Sequence, residues 1–312
     1  MARFHVSDVK RAAEVINPVF LRSPQYEYGP LSNQLGTNVV LKVETLNPIR
    51  SFKGRGADLL MQTTSSPIIC ASAGNFGQAM AYAARTYGVT ITVVAALNAN
   101  LFKIERMKAL GAEVILHGSD FDSAKEYARQ LAVRNNQRFV EDSADVETAI
   151  GAGTIALELM NYPEQLDVLL VPVGNGALIN GIGRVYKDRN SPTEIIGVQA
   201  EGAPAMTESW KHKTKMVHES INTIADGIGV RIPVNEALED MYPVVDDMLL
   251  VSDNTILKAM KLLQHTGGLI TEPAGAAGIA ALLDHSRFKS MKVGVILCGS
   301  NLTTEQMKLW LN

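Results

Sequence analysis

The residues of this chain that could do chemistry are one lysine with an unusual setting and three glycine-bearing loops. Lys53 lies in Ser51-Phe52-Lys53-Gly54-Arg55-Gly56-Ala57, where the turn signal Asn47-Pro48 leads into a helical stretch. Small and apolar neighbours suit a sheltered amine, and a buried lysine loses its charge more readily and attacks aldehydes. The plain alternative is a solvated lysine in a basic segment with Arg50 and Arg55. The first loop, Gly174-Asn175-Gly176-Ala177-Leu178, follows the apolar run DVLLVPV. Small residues let the backbone approach an anion, and the start of the next helix offers unpaired N–H groups to a phosphate. As a dinucleotide fingerprint the loop fails, because Ile179 stands at the third glycine position, although Glu201 could mimic the ribose-binding acid. An ordinary tight turn is the third reading. The second loop, Ser72-Ala73-Gly74-Asn75-Phe76-Gly77-Gln78, offers side-chain hydrogen bonds from Ser72 and Asn75 and amides that suit a substrate carboxylate; a capped helix start would look the same. In the third, Cys298-Gly299-Ser300-Asn301, a thiol or hydroxyl could face a ligand, or Cys298 is simply a small buried residue.

These loops need a scaffold that aims them at one place. Apolar, β-branched runs at 38–43, 67–71, 90–95, 113–116, 167–173, 194–200 and 292–298 read as strands, most of them apolar on both faces. Helix-period stretches at 76–87, 102–110, 123–135, 153–160 and 254–265 alternate with them, and Gly88 and Gly111 supply C-terminal stops. The alternation predicts an α/β fold of open, twisted, mostly parallel sheets flanked by helices, with ligands at the carboxyl ends of strands. The strands between 67 and 116 are expected to form a small sheet, and those nearer the two ends a second one.

Composition narrows the classes. The 312 residues suggest about two domains. With 46% hydrophobic and 20% charged residues the chain can bury a large core, which excludes disorder as its main state. The net charge of −3 gives no reason to expect nucleic acid or an anionic membrane as a partner. Cys70 and Cys298 are the only cysteines, too few for a disulfide framework or a zinc cluster. No apolar run reaches the ~18 residues of a membrane span. The N-terminal stretch has scattered charges and no long apolar core, so no signal peptide is expected and the expected location is the cytoplasm. The dispersed histidines suggest no metal site, and His212 and His218 read as part of a solvated basic loop.

Taken together, the segments NPIRSFKGRGA, SAGNFGQ, VPVGNGAL and CGSN resemble the fold-type II pyridoxal-phosphate enzymes, in particular the threonine/serine dehydratases (threonine ammonia-lyases). TIADGIGV (223–230) and TEPAGAAG (271–278) are similar to further pieces of that family, in the same order. The resemblance implies a two-domain, tryptophan synthase β-like fold: 1–66 with 148–312 as the large cofactor-binding domain, and 67–147 as a small mobile domain. It implies pyridoxal 5'-phosphate bound covalently by Lys53, with Phe52 beside the ring and Asn75 on the 3-hydroxyl. Gly174, Asn175, Gly176, Ala177 and Leu178 would hold the phosphate, Cys298 would face the pyridine nitrogen, and Glu272 would lie near the ring edge or the domain contact. Ser72, Ala73, Gly74, Asn75 and Gln78 would grip the substrate carboxylate.

The implied activity is a lyase reaction of amino-acid metabolism: dehydration and deamination of threonine or serine to a 2-keto acid and ammonia, with Lys53 as the base. The partner is a small amino acid, and relatives of this type are commonly homodimers. Departures from the family pattern sharpen the expectation. The phosphate loop is GNGA, so Asn175 and Ala177 require negative φ or an asparagine in the left-handed region. Ala73 stands where serine racemases carry a second catalytic serine, which argues against racemisation. The acidic cluster that binds a divalent ion in racemases is matched only by Glu201, with Thr207 near another of its places, so no metal is expected. No regulatory domain is expected after Asn312. Arg50, close to Lys53, could bind a side-chain carboxylate such as that of 3-hydroxyaspartate, or be a solvated arginine at a helix start. A β-replacement synthase of the same fold, of the cysteine synthase or diaminopropionate synthase type, is the nearest alternative.

Overall fold

A computed structural model describes residues 2–312. From the N-terminus, α1 (Val6–Val15), β1 (Gln25–Glu27), α2 (Gly29–Leu35) and β2 (Asn38–Val43) lead to α3 (Lys53–Gln62). Strands and helices then alternate as β3 (Ile68–Ala71), α4 (Asn75–Tyr87), β4 (Ile91–Ala95), α5 (Leu101–Ala109), β5 (Glu113–Leu116), α6 (Phe121–Arg134) and β6 (Arg138–Val140). They are followed by α7 (Val146–Leu159), β7 (Val168–Pro172), α8 (Ala177–Asp188), β8 (Glu194–Ala200), α9 (Ala205–His212) and α10 (Asn235–Met241). The chain ends with β9 (Asp247–Val251), α11 (Asp253–Gly267), α12 (Pro273–Asp284), β10 (Lys292–Leu297) and α13 (Thr304–Leu311).

The strands form two sheets, ordered β1-β2-β10-β7-β8-β9 and β5-β4-β3-β6. Every pairing is parallel except β1 on β2. In the larger sheet β10 is central, with Val295 opposite both Leu41 and Leu170. All five residues of β7 are buried, as in a parallel sheet covered by helices on both faces. Among the described residues no helix is long and apolar enough to cross a membrane.

Where sequence reading and structure differ, the causes are local. β1 and β6 have three residues each, too few for a periodic signal, and β9 (DMLLV) lacks a β-branched run. The short helices α2, α9, α10 and α13 went unread, as did the longer α1 and α12. Helix α7 begins at Val146 rather than near Gly153, because Gly151 and Gly153 look like breakers in sequence yet lie inside the helix. They serve close packing: a Cβ on Gly151 would stand 2.5 Å from Gly56 Cα, and one on Gly56 would stand 2.7 Å from Thr148 Cα. A Cβ on Gly54 would meet the Phe20 ring at 2.2 Å. The glycines around Lys53 therefore seat α3 against α7 and Phe20, and the shelter of the lysine comes from elsewhere.

Candidate active site

Lys53 opens α3, and the chain before it is tied to the end of β10. Phe52 N donates to Cys298 O at 3.1 Å, and Ser51 bridges Gly299. This stitching brings the Lys53 segment to the third loop. The Lys53 side chain is 16% exposed, and its Nζ lies 2.6 Å from Asp142 Oδ2. The amine also stands over the Phe52 ring at 4.7 Å and nearer the edge of reach of Phe76 at 6.0 Å. Asp142 follows β6, and its second oxygen, Oδ1, is buried without a hydrogen-bond partner. The solvated basic segment is thereby excluded. Arg55 is wholly buried, its guanidinium meeting Glu44 Oε2 at 2.9 Å, Glu44 Oε1 at 2.8 Å and Glu158 Oε1 at 2.6 Å.

The second loop caps α4 and also leaves a polar group unsatisfied. Ser72 Oγ accepts from Gly74 N at 3.1 Å and Gly77 N at 2.9 Å, so the capping expectation holds. Ala73 and Gly74 are partly exposed beside it. Gln78, one turn into α4, is 1% exposed, and neither its amide nitrogen nor its amide oxygen has a partner. Buried polar atoms are almost always paired, and leaving one unpaired costs about 1–3 kcal/mol. A buried amide with both ends free has hydrogen bonds to give to a ligand or a water.

Asn75 joins the two sheets' loops. Its Nδ2 donates to Glu272 Oε1, and its Oδ1 accepts from Asn301 Nδ2 at 2.8 Å. Glu272 Oε2 accepts from Asn301 N at 3.1 Å. Glu272 precedes α12 and is 2% exposed. Burial pushes its carboxyl up to about 7; the Lys103 charge opposes that rise and the Asp226 charge adds to it. A Cβ on Gly299 would fall 2.2 Å from Glu272 Oε1, so any larger residue there would push the Glu272 carboxylate out of its hydrogen bonds. Cys298 is buried, and burial first, then the Glu272 charge, pushes its thiol above the ordinary range.

The first loop has the backbone its sequence requires. Within 174–178 only Gly176 has positive φ, at 102°, so Asn175 and Ala177 keep the negative φ expected of them. A Cβ on Gly174 would stand 2.6 Å from Gly227 O. Ala177 N donates to Ser143 Oγ at 3.0 Å, and Ser143, with φ 72°, immediately follows Asp142. The Leu178 side chain is buried in the core, which leaves only its backbone to face the loop. Arg50 is exposed in a left-handed turn (φ 51°) before the helix, not at its start.

Four charged residues at this site were not found from sequence. Asp142 follows an unread strand; its signal was an acid at a strand's carboxyl end. Asp226 lies in the quoted TIADGIGV segment and pairs with Lys103, whose side chain is 4% exposed. Burial weighs most heavily against the Lys103 charge, yet Asp226 and Glu272 together raise its pKa. Arg106, also on α5, donates to Asn301 Oδ1 at 2.8 Å. Lys103 and Arg106 gave no signal, because a charged helix face ordinarily reads as solvated. Among the described residues no group of three His, Cys, Asp or Glu side chains could hold a metal ion. Glu201 is exposed, and Thr207 is buried and bonded to Gln199.

Known proteins resemble this chain along nearly its whole length. A family model described as pyridoxal-phosphate dependent enzyme matches residues 16–299. The L-threonine ammonia-lyase of Thermotoga maritima is 34% identical over 312 residues, covering 98% of this chain and 78% of that one. A catabolic L-threonine dehydratase of Staphylococcus aureus is 35% identical over 307 residues, covering 95% and 89%. Among solved structures, threonine deaminase isoform 2 of Solanum lycopersicum superimposes with a TM-score of 0.88 at 28% identity, covering 98% of this chain and 93% of that one.

Proposed function

We propose a residue-by-residue division of labour from one premise: this chain belongs to the family of pyridoxal-phosphate dependent enzymes. Its cofactor is pyridoxal 5'-phosphate, and its reaction is β-elimination from threonine or serine, a lyase activity supported by relatives named threonine ammonia-lyase and threonine dehydratase. The residues present fit the cofactor. The strand-end loops converge on one amine, Gly174 and Gly176 leave a backbone cradle that a Cβ would fill or strain, and Gln78 is a buried amide awaiting a partner. When bound, the cofactor draws electrons from the Cα–H bond so that the proton can leave.

Lys53 anchors the cofactor through its amine and, once displaced by the substrate's amino group, takes the α-proton as general base. Asp142, at 2.6 Å, holds that amine in the crevice. Backbone N–H groups of Gly174, Asn175, Gly176 and Leu178 receive the phosphate at the start of α8, while the Ala177 N–H beside them is held by Ser143 Oγ. Phe52 packs beside the ring. Asn75 donates to the 3-hydroxyl, held in place by Glu272 and Asn301. Cys298 gives the pyridine nitrogen a neutral thiol rather than a charged acid, which favours prompt loss of a β-substituent. Ser72, Ala73, Gly74 and Gln78 take the substrate carboxylate. The Cα–H and Cβ–O bonds break with net loss of water, and the released enamine takes up water to give a 2-keto acid and ammonia. Residues 67–147 form the small unit that moves against 1–66 with 148–312. We place the enzyme in the cytoplasm as a homodimer; sedimentation tests the assembly.

The observation that carries the reading is the sheltered Lys53 amine, paired with Asp142, near the Phe76 ring of the second loop and stitched through Phe52 to Cys298 of the third. Borohydride reduction of the holoenzyme followed by peptide mapping should place the label on Lys53. A label elsewhere, or none, overturns the assignment. Keto acid release from threonine and serine, unaffected by added thiol or amine, separates elimination from β-replacement.

A further inference from the structure

Helix α5 sends Arg106 across the crevice to the loop after β10, where its guanidinium donates to Asn301 Oδ1 at 2.8 Å. The same Asn301 side chain donates to Asn75 Oδ1 at 2.8 Å and to Ile49 O at 2.9 Å. The next residue, Arg50, accepts from Ser300 N through its carbonyl at 3.0 Å. Residues 300 and 301 thus bring Arg50 and Arg106 to one edge of the site. Arg50 holds a left-handed backbone, φ 51°, which a non-glycine residue adopts at a cost in strain. Among the described residues neither guanidinium has a carboxylate within ion-pair reach. Burial first, and the neighbouring Arg50 charge second, hold the Arg106 guanidinium below the ordinary arginine range. An anion reaching both guanidinium groups from that edge would be held by two positive charges at once.

The substrate's α-carboxylate already has a receptor. Gln78 is buried with both amide atoms free, and the amides opening α4 lie beside it. Arg106 reaches that receptor through Asn301, whose side chain accepts from Arg106 and donates to Asn75 at the start of α4. An anion for the arginine pair must therefore be a second one.

We propose that Arg50 and Arg106 receive a second anionic group on the substrate, so that the chain prefers β-substituted amino acids carrying one. This rests on the elimination reading above. A carboxylate on Cβ, as in 3-hydroxyaspartate, and a phosphate on the β-oxygen, as in O-phosphoserine, share the required chemistry. From the first the products are a 2-keto dicarboxylic acid and ammonia; from the second they are a 2-keto acid, ammonia and phosphate, with one water consumed.

The test compares kcat/KM of the holoenzyme for threonine, serine, 3-hydroxyaspartate and O-phosphoserine. One of the two anionic substrates should exceed serine and threonine at least tenfold, and which one does so identifies the group. Arg106→Ala and Arg50→Ala should each lower the anionic-to-serine ratio at least tenfold. An unchanged ratio, with all substrates losing equally, would mean the arginines serve the α-carboxylate or only the fold, and overturns the proposal. So does a wild-type preference for the neutral substrates. Arg50 is exposed, so its variant keeps the test usable if Arg106→Ala misfolds. Calorimetry reads the site without turnover: the holoenzyme should bind succinate at least tenfold more tightly than propionate, and the difference should vanish in either variant. Keto acid from none of the substrates would sink the elimination reading, while the succinate comparison would still decide for or against the arginine receptor.

Discussion

Two sets of charges lie a few residues apart in sequence and differ in how completely they are satisfied. Around Arg55 the set is closed. The guanidinium meets Glu44 through two nitrogens, Glu158 at 2.6 Å and Thr154 Oγ1 at 2.9 Å, and Lys42 Nζ meets Glu158 Oε2 at 2.5 Å. Burial weighs against the Arg55 charge, but the two carboxylates outweigh it and raise its pKa. Burial prevails at Lys42 and lowers its pKa despite Glu158 and Glu44. Around Lys53 the set is open. Asp142 Oδ1 and both ends of the Gln78 amide lack partners, and Arg50 and Arg106 lack counter-ions. A closed network holds a fold together; an open one at a crevice leaves groups that a ligand can satisfy.

Breaking the open set at its centre should have the largest effect. Lys53→Ala should lower keto acid release by at least about a thousandfold, the scale of a lost base and nucleophile. It should also abolish borohydride labelling. A variant that turned over threonine normally would place the base elsewhere. Breaking the closed set should do the reverse. Arg55→Leu strands Glu44 and Glu158 in the interior, and removing one partner of a buried pair costs about 3–5 kcal/mol. Urea unfolding should show that loss. A shift under about 1 kcal/mol would mean that water or a rearranged Lys42 satisfies the two acids, and the network would not be closed.

Gln78 gives the sharpest contrast, because the open set predicts opposite signs for stability and binding. Replacing the amide by an apolar group of similar shape removes unpaired buried atoms. Gln78→Met should therefore stabilise the cofactor-free chain by about 1–3 kcal/mol and raise KM for the amino acid about tenfold. If stability falls and KM does not move, the amide is satisfied internally and is no carboxylate receptor.

How far the sequence could be read follows the same division. The strand-end loops and Lys53 were legible because their signals are local: a β-branched run, then glycines, then a helix start. The α/β class and the mostly parallel sheets followed from runs apolar on both faces. Asp142, Lys103 and Arg106 were not legible, since each acts through a partner more than eighty residues away, at Lys53, Asp226 and Asn301. The glycines flanking Lys53 were legible as small but misread in purpose, because helix packing at Gly56 and Gly151 leaves no local mark.

Glu272 sits on the border between the two sets, being hydrogen-bonded through both oxygens yet buried beside opposing charges. Its carboxyl is pushed up to about 7 by burial, well above the roughly 4.3–4.5 of an unfolded chain. Between those values the folded chain holds a proton that the unfolded chain releases. Stability from this group is thus fully present below about pH 4.5, falls as pH rises toward 7, and is lost above it. The slope approaches about 1.4 kcal/mol per pH unit where the difference is one whole proton. Urea unfolding of the cofactor-free chain at intervals from pH 5 to 8 reads that slope, and Glu272→Gln should flatten it while keeping a hydrogen-bonding group near Asn75. An unchanged slope in the variant would mean that the titration belongs to another group. Glu272 would then be ionised, with the Lys103 ammonium balancing its charge as Glu44 and Glu158 balance that of Arg55.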